Sequence, residues 1–78
     1  MEIKILGPGC KKCSQAAERV AAVVAATGAD VKIEKVTDMM AIAGFGVMAT
    51  PAVVVDGEVK CVGKVPDRDE IAAWLEAG

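Results

Sequence analysis

Glu2-Ile3-Lys4-Ile5-Leu6-Gly7-Pro8-Gly9-Cys10-Lys11-Lys12-Cys13 is the stretch on which the fold turns. Its opening alternates, with Ile3 and Ile5 on one face, and predicts a short strand over Glu2–Leu6. Gly7-Pro8-Gly9 breaks that strand. From about Cys10 to Thr27 the chain turns Ala-rich, and Cys13, Ala16, Ala17, Val20, Val23 and Val24 recur at helical spacing. Ser14, Gln15, Glu18 and Arg19 supply the wet side of this helix, and Gly28 supplies its stop. A pair of cysteines three positions apart therefore stands where a strand hands over to a helix.

Downstream, Val31–Val36 alternates strictly and predicts a second strand. Thr37 and Asp38 are capping residues for a short helix over Met39–Ala43, which Gly44 ends. Phe45, Val47, Met48 and Ala49 follow, apolar but irregular; they read as core, or as an apolar rim where they lead into Thr50-Pro51. Ala52–Val55 is a continuous buried-strand run, Asp56-Gly57 a type I′ turn, and Glu58–Val62 the returning hairpin strand. Cys61 is expected on that strand as a small buried apolar side chain, on the same face as Val59 and Gly63. Pro66-Asp67 opens a last helix from about Arg68 to Ala77, buried through Ile71, Ala72, Trp74 and Leu75. The order β-α-β-α-β-β-α predicts an α/β fold. Right-handed crossovers make its first strands parallel, with the hairpin antiparallel beside them, in a mixed four-stranded sheet with helices on both faces.

Bulk properties narrow the function. The chain has 78 residues, room for one domain spanning 1–78. Its apolar share of 54% is that of a globule rather than a disordered chain. A net charge of −2, with one Trp, one Phe and no Tyr, argues against nucleic acid as a partner, because that footprint is basic and rich in stacking rings. The longest apolar run, Val20–Ala26, is far shorter than the roughly 18 residues of a membrane span, and the N-terminus lacks the pattern of a signal peptide. A cytoplasmic, monomeric protein is the expectation.

The chain has three cysteines and no histidine. An odd count does not suit a disulfide framework, and the missing His removes Cys–His and Ser–His–Asp catalysis and Cys₂His₂ zinc binding. Cys10 and Cys13 share a helix face one turn apart, close enough to bond. Unpaired N–H groups and the positive end of the macrodipole favour thiolate there, and the thiolate is the attacking form. Lys11 and Lys12 oppose the same dipole, at about 0.3–1 kcal/mol each where exposed. Either they are solvated turn residues or their charge stabilises the Cys10 thiolate. Redox exchange is the favoured reading of the pair; a Cu(I) site of two thiolates, as in a metallochaperone, is the alternative.

A strand, Gly9-Cys10-Lys11-Lys12-Cys13, a helix, and later Ala49-Thr50-Pro51 before a Val-rich strand together resemble the thioredoxin superfamily, and in particular its small redox-active disulfide proteins. The resemblance covers nearly the whole chain. It implies that Cys10 is the nucleophile, that Cys13 resolves the mixed disulfide, and that Pro51 is a cis-proline facing the pair. It further implies that Thr50, Pro51, Gly63, Met48 and Ala49 receive the substrate. Disulfide-containing client proteins and a flavoprotein reductase of the thioredoxin-reductase type are the implied partners. The redox group is the Cys10–Cys13 disulfide itself, with no bound cofactor or metal. Two departures stand out: Gly9 occupies the usual Trp position, and the first strand offers Lys4 and Glu2 where a buried carboxylate is usual. A glutaredoxin-like donor is the nearest variant, but C-P-[YF]-C and a Gly-Gly-x-Asp signature near Val62-Gly63 are missing. Ferredoxin-like metallochaperones also begin strand–C-x-x-C–helix, but they end in a strand and carry Met where this chain has Pro8.

Overall fold

The computed structural model describes residues 1–9 and 11–77. Seven elements follow the expected order: β1 (Glu2–Leu6), α1 (Lys11–Thr27), β2 (Lys32–Val36), α2 (Met39–Gly44), β3 (Ala52–Val55), β4 (Glu58–Val62) and α3 (Arg68–Ala77). Cys10, the expected start of the first helix, lies outside the described residues.

The sheet runs β2-β1-β3-β4, with β1 parallel to β2 and antiparallel to β3, and β3 antiparallel to β4. Because β3 is interior and covered on both faces, all of Ala52, Val53, Val54 and Val55 are buried, which explains their unbroken apolar run. β2 lies at an edge, and its alternation is correspondingly shallow: Ile33 and Val36 are only half-buried.

Alternation along the central strands divides the interior in two. On one face Ile3, Ile5, Val53 and Val55 pack against Ala16, Ala17, Val20 and Val23 of α1 and Ile71 of α3. On the other, Leu6, Ala52 and Val54 meet Ile42 of α2, with Phe45, Val47 and Val59 closing the edge. Helices thus cover both faces. Small alanines on α1 let that helix approach the sheet closely, a packing suited to a chain almost without aromatic rings.

Local chemistry sets the boundaries. Gly28 (φ 68°) ends α1 and donates its N–H to the Val24 carbonyl at 3.0 Å. The Asp38 carboxylate accepts from the Met40 N–H at 3.1 Å and caps α2. Before α3, Asp67 accepts from the Glu70 N–H at 2.8 Å while Glu70 accepts from the Asp67 N–H at 3.4 Å, a reciprocal capping box. Asp56 (φ 48°) and Gly57 (φ 83°) both adopt the positive φ that a type I′ turn requires.

Two expectations need correction. Val59 and Cys61 do not share a face. The β3–β4 ladder pairs Val54 with Val59 but Val53 with Cys61, so Lys60 is the extra residue of a bulge. The bulge turns Val59 into the α2-side core and Cys61 into the α1-side core. Nor do Met48 and Ala49 belong to the interior: Met48 is 97% exposed and Ala49 is exposed, whereas Phe45 and Val47 do pack inward.

Candidate active site

Cys13 sits in the first turn of α1, 5% exposed and disulfide-bonded. The chain leaving β1 is pressed against it. A Cβ on Gly7 would collide with Cys13 Sγ, would lie 2.9 Å from Cys13 Cβ, and would sit 3.9 Å from Thr50 Cβ. Only glycine fits between sulfur and sheet there. Gly7 is buried, and its N–H donates to the Val36 carbonyl at 2.9 Å, which extends the β1–β2 ladder past Leu6. This bond brings the end of β2 alongside the sulfur.

Beside Cys13 opens a cavity of about 60 Å³, lined by Ile5, Gly7, Gly9, Cys13, Ser14, Ala17, Lys35 and Thr37. Gly9 is exposed at its mouth, and Lys11 and Lys12 are exposed in the helical turn that carries Cys13. Lys4 does not reach this place. Its neighbours on β1, Ile3 and Ile5, face α1, whereas its own ammonium lies 5.5 Å from the Phe45 ring and 3.5 Å from Glu2. Among the described lining residues, the charged group is Lys35, across the strand pair from Ile5.

The other expected residues converge nearby. The Thr50–Pro51 peptide is cis. Pro51 is buried, and its carbonyl accepts the Gly63 N–H at 2.8 Å. Gly63 (φ 74°) follows β4, where a Cβ would approach Ala49 Cβ to 3.2 Å. Gly63 is thus bonded to the buried Pro51 and lies against exposed Ala49, Thr50 approaches Gly7, which abuts Cys13, and Met48 next to Ala49 in the chain is exposed.

Cys61 lies apart. It is a buried free thiol whose Sγ donates to the Lys64 carbonyl at 3.3 Å. Burial pushes its pKa up; the nearby Lys64 charge works in the opposite direction, and Glu70 adds to the rise. The Lys64 ammonium meets Glu70 at 2.8 Å, and this hydrogen bond raises the lysine's own pKa.

Sequence reading missed Gly7, Lys35 and Thr37. Gly7 looked like punctuation within Gly7-Pro8-Gly9, Lys35 was one residue of an alternating strand, and Thr37 looked like a helix cap. The usable signal was parity: Lys35 shares the side of the strand taken by Ile33, a partly buried member of the α1-side core.

Residues 1–76 match the family model of the thioredoxin domain. A thioredoxin of Methanothermobacter thermautotrophicus is 37% identical over 75 residues, covering 96% of this chain and 97% of the relative. One of Methanocaldococcus jannaschii is 41% identical over 75 residues, covering 96% and 86% respectively.

Proposed function

This chain belongs to the thioredoxin family, whose general chemistry is thiol–disulfide exchange, and from that premise we propose that it reduces disulfides of client proteins through Cys10 and Cys13. The observation that carries the reading is the state of the sulfurs. Cys13 is disulfide-bonded at the start of α1, whereas Cys61 is a free thiol.

In the reduced protein the Cys10 thiolate attacks one sulfur of the client disulfide. A Cys10–client bond forms, the client's own S–S bond breaks, and its second sulfur leaves as a thiolate that takes up a proton. Cys13 loses its proton and attacks Cys10. The intramolecular disulfide forms, and the first client sulfur departs in turn. Two electrons have passed to the client and the protein is left oxidised. No bound cofactor is needed, since the sulfur pair holds both electrons.

Burial suits Cys13 to the resolving role, because a sulfur held against Gly7 meets its neighbour more readily than a bulky client. Gly9, Lys11 and Lys12 form the surroundings of the pair, and the cations favour thiolate over thiol. The landing place for the client is Thr50, Ala49, Gly63 and exposed Met48, with the buried Pro51 beneath them holding Gly63 through its carbonyl. A flavoprotein reductase of the thioredoxin-reductase type returns the electrons, in the cytoplasm, to a monomeric carrier.

Insulin reduction with dithiothreitol as electron source tests the reading. Cys10→Ser removes the attacking sulfur and is expected to abolish the acceleration. Retained acceleration would sink the assignment.

A further inference from the structure

The lysines among the described residues fall into sets. Lys4, Lys60 and Lys64 each meet a glutamate, at 3.5, 3.4 and 2.8 Å. Lys11, Lys12, Lys32 and Lys35 are exposed and make no ion pair among the described residues. Of these, Lys35 lines the cavity that Cys13 also lines, and Lys11 and Lys12 stand in the helical turn carrying Cys13, whereas Lys32 lies at the opposite end of β2.

Acids nearby in sequence are directed elsewhere. Asp38 caps α2 through the Met40 N–H. Glu34 precedes Lys35 on β2 and so points to the opposite face of the sheet. Glu18 lines a separate groove with Arg19 and Arg68. The chain as a whole carries −2, so the collar around the sulfur reverses the sign of the molecule locally.

A cleft lined by charge of one sign concentrates oppositely charged reactants, raising encounter rates by about 10- to 1000-fold where the field is strong. We infer that Lys11, Lys12 and Lys35 select client disulfides flanked by carboxylates. The inference rests on the exchange reaction proposed above and names its substrate class. In the first step the client's S–S bond breaks as Cys10 bonds one of its sulfurs, and the other leaves as a thiolate. The collar attracts the approaching carboxylates and also stabilises that departing negative charge.

The test uses the reduced full chain and three small disulfides: anionic glutathione disulfide, uncharged bis(2-hydroxyethyl) disulfide and cationic cystamine. Each rate is divided by that of dithiothreitol with the same disulfide, which removes differences in leaving-group reactivity. At about 10 mM salt, where screening extends over roughly 30 Å, the anionic-to-cationic ratio is expected near tenfold. At about 1 M salt, where it shrinks to roughly 3 Å, the ratio falls toward one. The combined Lys11→Gln, Lys12→Gln and Lys35→Gln variant loses the preference at low salt. Lys32→Gln, which removes a lysine at the opposite end of β2, in register with Glu2, keeps it.

A ratio below one, which the net charge alone would dictate, overturns the inference. So does a ratio indifferent to salt in the unaltered protein, a result that does not depend on the variant folding. Failure to react with all three disulfides, the uncharged one included, removes the exchange reading and this inference with it.

Discussion

Cys13 and Cys61 are equally hidden, at 5% and 4% exposure, yet their surroundings assign them opposite fates. Cys13 stands at the start of a helix, with a small cavity on one side and a glycine pressed against it on the other. Cys61 stands on the edge strand β4 with its side chain in the α1-side core, its thiol donated to a backbone carbonyl. Burial by itself makes a cysteine inert; what distinguishes the first is its disulfide bond and its place in the first turn of a helix. The difference teaches that a sulfur's chemistry follows from which backbone ends converge on it, rather than from how much solvent it sees.

The strongest way to break the contrast is to replace each sulfur. Cys13→Ser is expected to reduce insulin no faster than dithiothreitol alone and to accumulate mixed disulfides with clients, seen on non-reducing gels with mass spectrometry. Their absence would deny Cys13 its resolving role. Gly7→Ala comes next. The added methyl must displace Cys13 or the strand end, at a cost of about 1–3 kcal/mol. In a domain of this size that lowers Tm by roughly 4–8 °C per kcal/mol in calorimetry, and an unchanged Tm would show that the sulfur is not confined.

Cys61→Ala should be felt far less. It loses about 1 kcal/mol for one small buried group and leaves insulin reduction at its original rate. A fall in rate would draw Cys61 into the chemistry.

The smallest effect is expected in the pH dependence of a Cys10→Ser/Cys13→Ser protein, where Cys61 is the sole thiol. Its folded pKa is raised above the unfolded value by burial. The neutral thiol therefore contributes its stability in full below the unfolded value, and this is lost as pH rises through the raised folded value. Urea titrations across the alkaline range should show stability declining there more than in the same protein carrying Cys61→Ala. Parallel curves would mean that Cys61 is not desolvated.

Much of this was legible in advance, for identifiable reasons. The element order followed from period and punctuation: Ile3 and Ile5 alternating, Ala16 and Val20 at helical spacing, Asp56-Gly57 between two strand runs. The spacing of Cys10 and Cys13 around Lys11 and Lys12 was visible because it is local. The bulge at Lys60 was not visible, because a strand records only its own alternation, and the extra residue exists only relative to Val53 and Val54 of its partner. Met48 reads as apolar in sequence, but its exposure depends on how the chain between α2 and β3 leaves the α2-side core.

By itself the sequence determined the elements, the handover from strand to helix at the cysteine pair and the hairpin, since each depends on residues a few positions apart. Only the tertiary structure decided that Gly7, Lys35 and Thr50 converge on Cys13 and that Gly63 bonds to Pro51. Those meetings join residues far apart in the chain. They are fixed by sheet order and register, which emerge when the layers pack and which no local pattern encodes.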